Sequence, residues 1–249
     1  MKKPVVWRRS ILFAALSGVC SCLSIPSTAP RLIGEGRLAL FIGNSYLYTM
    51  DVPGIVQALA DSAGGDKLAV MTVAGADMAL IDHWYEGTSR QEMAKRPWEW
   101  VVLQQGPSST EVNRDSLRLV TGMFSQAMTS GQPTLFSAWP SAQRPQDFPR
   151  AIESYRLAAA DVGGIYAPVA AAWVAAWNRN PALKLYADGL HPSPEGAYLS
   201  AVVVYGALLN QSLSDLPDGV RTQSGVRISL APATAQLLRD AAAEALAAR

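Results

Sequence analysis

Two short stretches near opposite ends of the chain carry the residue types needed for nucleophilic catalysis. Gly43-Asn44-Ser45-Tyr46 follows an apolar run, Leu38 to Ile42, and sets a serine hydroxyl in a loop that enters a helix. At such a helix start, unpaired backbone N–H groups and the helix dipole favour negative charge. Asp188-Gly189-Leu190-His191-Pro192 presents a carboxylate and an imidazole together on one loop. A carboxylate that bonds Nδ1 of an imidazole leaves Nε2 free to take a proton, as a base beside a hydroxyl nucleophile must. Each stretch also has an ordinary reading, because Gly-Asn-Ser is good turn chemistry and Asp-Gly marks a turn. The short Asp-to-His spacing, the fixing ring of Pro192 and the helix capped by Ser193 favour chemistry over a surface turn.

The rest of the sequence narrows the choice of chemistry. Only two histidines occur, His83 and His191. His83 is the rival base, but its neighbour Asp82 points elsewhere on a helix, so His83 is expected to line a pocket or face solvent. His83-Trp84-Tyr85 and Trp139-Pro140 fall near the same end of the fold, where aromatic rings either stack on a sugar or pack. Asn44, His83 and Trp139 are the candidate substrate-binding residues; Trp98, Trp100, Trp173 and Trp177 read as packing. Both cysteines, Cys20 and Cys22, lie in the first tenth of the chain, which leaves the remainder without a disulfide or a thiolate metal site. Neither metal nor cofactor is expected. Twenty-one basic against twenty acidic residues leave a net charge of +1, which argues against a nucleic-acid partner.

The elements that must position these residues follow from the hydrophobic pattern. With 249 residues, 49% of them hydrophobic, the chain suffices for one sizeable core. Short apolar runs alternate with helical patterns from Arg37 onward, which predicts an α/β domain with a mainly parallel sheet. The expected strands are Leu38 to Ile42, Leu68 to Val73, Trp100 to Leu103, Thr134 to Ala138 and Ile165 to Pro168. Asp51 caps a helix with Val52, Ile55, Val56 and Leu59 on one face, ended by Gly64-Gly65. A second crossover helix spans Met78 to Met93. A third carries Leu117, Val120, Phe124 and Met128 and stops at Gly131, and a fourth lies near Ile152 to Ala160. Ser193 caps a largely buried helix through Leu209, and Ala231 to Arg249 forms a terminal helix. Between them, Pro217-Asp218-Gly219 signals a turn and Val226 to Leu230 is extended. In an open parallel sheet, ligands bind beyond the carboxyl ends of the strands, which is where Ser45 falls.

Residues 1–30 are set aside from the fold as a signal peptide or lipoprotein leader, leaving one domain over 31–249. Lys2, Lys3, Arg8 and Arg9 precede an apolar run from Ile11 to Ile25, the layout of a secretory signal and shorter than a comfortable membrane span. Val19-Cys20-Ser21-Cys22 resembles a bacterial lipobox. Two outcomes stand open: lipid on Cys22, with the Pro-, Ser- and Thr-bearing segment beyond it as a tether, or ordinary cleavage near Ala29. Both predict an exported protein of a bacterium, periplasmic, secreted or held at a surface. Membrane contact would come only through that lipid.

Taken together, the first and last stretches resemble the SGNH, or GDSL-type, hydrolases over about residues 37 to 210. Phe41-Ile42-Gly43-Asn44-Ser45 is similar to the family's first block, with Asn44 in place of the usual aspartate, and Asp188 to His191 to its last. The resemblance implies a flavodoxin-like three-layer α/β/α sandwich with a five-stranded sheet in the order 2-1-3-4-5. It also implies Ser45 as nucleophile, with His191 and Asp188 completing a triad, and an oxyanion hole built from the N–H groups of Ser45 and Gly75. Val101-Val102-Leu103-Gln104-Gln105-Gly106 occupies the third block without its asparagine, so the remaining donor is an amide of Gln104 or Gln105. The implied activity is hydrolysis of carboxylic esters through an acyl-enzyme, with an acetylated carbohydrate or another short-chain ester as substrate. The alternative is a binding protein that keeps the fold without catalysis. A nucleotide-binding module is disfavoured, since no G-x-G-x-x-G or Walker pattern follows any strand.

Overall fold

The computed structural model describes residues 30–249. The leader reading, Cys22 included, lies outside them. Five strands, β1 (Arg37–Gly43), β2 (Leu68–Ala74), β3 (Trp100–Leu103), β4 (Gln132–Phe136) and β5 (Ile165–Ala167), form a parallel sheet in the order β2-β1-β3-β4-β5. The inner strands read as unbroken apolar runs because helices cover both faces: Ala39 to Ile42 and Val101 to Leu103 are fully buried.

Nine helices are described: α1 (Ser45–Tyr48), α2 (Val52–Ser62), α3 (Leu80–Glu86), α4 (Thr88–Lys95), α5 (Glu111–Ala127), α6 (Phe148–Asp161), α7 (Val169–Arg179), α8 (Pro194–Leu209) and α9 (Pro232–Ala247). Helices α3, α5 and α6 pack on one face of the sheet, and α2 and α8 on the other, with α7 and α9 against α8. The three layers and the strand order are those of the SGNH fold. Helix α8 is buried on every side, so it shows no amphipathic stripe. Its start is fixed as expected, the Ser193 side chain accepting from Gly196 N–H. Asp51 caps α2 in the same way through Gly54 N–H. Among the described residues no helix is long and apolar enough to cross a membrane.

The structure corrects several boundaries. The second crossover is two helices rather than one, broken at Gly87, whose φ of 91° reverses the chain and lets its N–H bond the carbonyl of His83. Strand β4 begins and ends two residues earlier than expected, because the chain leaves the sheet ahead of Trp139-Pro140. The fourth crossover starts at Phe148, with Pro149 in its first turn. The extended stretch near Val226 belongs to a small antiparallel hairpin, β6 (Gly219–Arg221) with β7 (Arg227–Ser229), apart from the main sheet. Helix α7 was not legible beforehand: Ala170 to Ala172, Ala175 and Ala176 blur its apolar face.

Candidate active site

The loop that carries Ser45 is held from three directions. Asn44 caps α1, its Oδ1 accepting from Tyr46 N–H at 3.2 Å, so Ser45 becomes the first helical residue. As such, its backbone N–H has no acceptor within the helix. Gln104, from the end of β3, grips Asn44 in both directions: Oε1 accepts Asn44 N–H at 2.9 Å and Nε2 donates to Asn44 Oδ1 at 3.0 Å. That approach leaves no room for a side chain at position 43, since a Cβ on Gly43 would sit 2.3 Å from Gln104 Oε1. Asn44 Nδ2 reaches the carbonyl of Met78 at 3.2 Å, tying the loop to the segment after β2.

His83 clamps the residue before Asn44. Its Nε2 lies 2.7 Å from the carbonyl of Gly43, and Nδ1 lies 3.1 Å from Ser89 Oγ. A carbonyl only accepts, so this network assigns the ring proton to Nε2, leaving Nδ1 to accept from the serine. The same carbonyl accepts Gly75 N–H at 3.2 Å, which continues the β1–β2 ladder. His83 is 1% exposed, and burial lowers its pKa, holding the ring neutral. The expectation that His83 lines the pocket or faces solvent is therefore corrected: it lies beneath the serine loop.

The second loop is braced as firmly. Ala187 N–H bonds the carbonyl of His191 at 2.9 Å, closing the loop into a narrow turn. Trp139 Nε1 donates to Leu190 O at 2.9 Å, and Ala142 N–H to Gly189 O at 2.8 Å, so the segment after β4 fixes the loop from its flank. Trp139 is fully buried, stacked between Tyr46 (centroids 4.7 Å apart) and Trp173 (4.0 Å). It is a packing residue, which corrects its candidacy for sugar stacking.

These two loops bring Ser45, His191 and Asp188 together. His191 Nε2 is 3.0 Å from Ser45 Oγ, and His191 Nδ1 is 2.7 Å from Asp188 Oδ2. The other oxygen, Asp188 Oδ1, accepts the N–H groups of Leu190 and His191 at 2.9 and 2.7 Å. The His191 side chain, then these two backbone bonds, hold the Asp188 carboxyl well below the usual carboxylate range. Burial, with the nearby Asp188 charge, pushes the Tyr46 phenol above its ordinary value, so it stays protonated beside the serine.

Ser45 opens onto a cleft of about 320 Å³ walled by Asn44 to Tyr46, Asp77 to Ala79, Gln105 to Ser108 and Leu190. Sequence reasoning missed Tyr46, Met78 and Leu190; of these, Tyr46 was signalled only by adjacency to the serine. The two glutamines have different surroundings. Gln104 is fully buried and occupied with Asn44, whereas Gln105 lines the cleft, its Oε1 accepting Leu80 N–H at 3.1 Å and its Nε2 donating to Ser108 Oγ at 2.8 Å and reaching Asn113 O at 3.5 Å. The Gly75 N–H, expected to point at a substrate oxygen, is bonded to Gly43 instead. Among the described residues, no group of three or more His, Cys, Asp or Glu could hold a metal ion.

No family model and no curated protein matches the chain. Solved structures do. One, titled a "putative SGNH hydrolase from Slackia heliotrinireducens", is 25% identical, with a TM-score of 0.59 over 70% of this chain and 99% of that one. A lipase/acylhydrolase from Enterococcus faecalis is 15% identical, with a TM-score of 0.56 over 68% of this chain and 93% of that one. A mutant Geobacillus acetyl-xylooligosaccharide esterase, also 15% identical, aligns with a TM-score of 0.50 over 72% of this chain and 94% of that one. In fold the chain is therefore similar to the SGNH, or GDSL-type, hydrolases that its first and last blocks resemble.

Proposed function

We propose that this chain is a serine-dependent hydrolase of carboxylic esters that works through an acyl-enzyme. The observation that carries the reading is the unbroken line of hydrogen bonds from Ser45 Oγ through His191 to Asp188, at 3.0 and 2.7 Å. His191 Nε2 takes the hydroxyl proton as Ser45 Oγ bonds to the ester carbonyl carbon, and the same proton passes to the departing alcohol oxygen as its bond to carbon breaks. Water, deprotonated by the same imidazole, then releases the acid. Asp188 keeps Nδ1 protonated and stabilises the imidazolium without itself taking the proton. The oxyanion is received by the free N–H of Ser45 and by the amide of Gln105, donors whose individual loss costs roughly 2.7 to 4 kcal/mol.

A cleft of about 320 Å³ suits a short acyl group better than a long chain. The likeness to an acetyl-xylooligosaccharide esterase supports an acetylated carbohydrate as substrate. The test is a series of p-nitrophenyl esters of increasing acyl length. Turnover is expected to be highest for acetate and to vanish in Ser45→Ala; turnover unaffected by Ser45→Ala overturns the proposal.

A further inference from the structure

Asp147 is a carboxylate buried close to the surface, its side chain 2% exposed. A charge so placed is costly unless paired. Arg144 Nε meets one oxygen at 2.7 Å and Arg150 Nη2 the other at 2.5 Å, with Ser109 Oγ at 3.2 Å. The Arg150 bond, then those of Arg144 and Ser109, lower the Asp147 pKa. Both arginines are themselves 57% exposed, so the buried carboxylate anchors two guanidiniums whose remaining N–H groups face outward. Arg114, one turn into the 17-residue helix α5, is held through Nε by Ser154 Oγ at 3.0 Å. The three arginines and the start of α5 line a cavity of about 470 Å³. Three guanidiniums there face two carboxylates, Asp147 and the exposed Glu111; Glu153, the next acid along, is taken in two bonds of 2.8 Å by Arg156.

Two chain segments connect this cavity to the catalytic site. The segment after β3 gives Gln105 and Ser108 to the cleft and Ser109 to the cavity. The segment after β4 gives Arg144 to the cavity, while two residues earlier Ala142 bonds the carbonyl of Gly189, between Asp188 and His191. Arginine forks match the planar, two-oxygen edge of a carboxylate or the face of a sulfate. We propose that the Arg114–Arg144–Arg150 pocket is an anion subsite that receives a carboxylate or sulfate on the saccharide whose ester group reaches Ser45. The assignment of the saccharide as substrate rests on the hydrolase reading; the anion site itself does not.

Titration calorimetry of the full chain with trigalacturonate and with neutral xylotriose, neither carrying an ester, tests the site without turnover. Trigalacturonate is expected to bind at least about 10-fold tighter than xylotriose and to weaken as salt rises. Arg114→Gln should weaken it by about 5-fold, and Glu111→Gln, which removes the opposing carboxylate from an exposed position, should tighten it by about 3-fold. A folding defect cannot mimic that gain. Equal binding of the two sugars, or indifference to both substitutions, overturns the anion site. Bound trigalacturonate should also slow fluorophosphonate labelling of Ser45; binding without such protection overturns the link to the substrate while leaving the hydrolase reading intact.

Discussion

Asp188 divides its two oxygens between the imidazole and the backbone of its own loop, so orientation and tautomer are set by one side chain. Asp188→Asn keeps the shape but can present an amide N–H toward Nδ1, favouring the wrong tautomer, and is expected to lower kcat by about 10⁴-fold with little change in melting temperature. Steady-state kinetics beside a thermal melt check it. The two glutamines should part in kind. Gln105→Ala removes an amide from the cleft wall and should lower kcat by about 10²- to 10³-fold at nearly constant KM. Gln104→Ala strips a buried partner from Asn44 and should instead cost about 1 to 3 kcal/mol of stability, read by denaturant unfolding. Side-chain alternation at a strand end predicts that only one of the pair reaches the site. Which of them lines the cleft was not legible, because Gln104 folds back onto Asn44, a contact 60 residues distant in sequence.

At the scale of elements, α3 does the least visible work. It lays His83 under the end of β1, where the neutral ring holds the Gly43 carbonyl that precedes the nucleophile loop. Burial lowers the folded-state pKa of this imidazole, so below the unfolded-state value of about 6.5 the unfolded chain binds the extra proton and the folded chain does not. Stability therefore falls as pH drops from about 6.5 toward the folded-state pKa, by at most about 1.4 kcal/mol per pH unit from this residue. His83→Gln retains a donor for Gly43 and should flatten that slope; denaturant unfolding of both proteins at pH 7 and pH 5.5 measures it, and identical slopes refute the assignment. The sheet was readable because strands buried on both faces are nearly pure apolar runs bounded by Gly, Pro or polar residues. The position of His83 was not, since its neighbours in sequence, Asp82 and Trp84, say nothing of the strand end it packs beneath. The break at Gly87 was hidden for a related reason: a glycine within a helical pattern is tolerated, and only its positive φ reveals a stop.

For the whole molecule, the two loops meet because the strand order puts β1 inside the sheet, and because the segment after β4 is bonded to the loop that precedes α8. An aromatic column, Tyr46, Trp139 and Trp173, couples them through the core. Trp139 was read as either a sugar platform or a packing residue, and composition could not choose between these, because both uses place an aromatic ring at the same strand end. The charge-then-apolar layout of the first residues predicts a leader, in which case the mature N-terminus should be an acylated Cys22 or an unmodified residue near Pro30. Mass spectrometry of the purified native protein reads either result, and an intact Met1 on the exported protein contradicts the leader reading.

The central claim is that Ser45 is a nucleophile made reactive by His191. Incubation with a serine-directed fluorophosphonate, followed by peptide mass mapping, tests it most directly. One adduct per chain is predicted, on Ser45, lost in Ser45→Ala and slowed by about 10³-fold or more in His191→Ala with the fold intact. A folded wild-type chain left unlabelled, or labelling that persists at full rate in His191→Ala, would contradict the account.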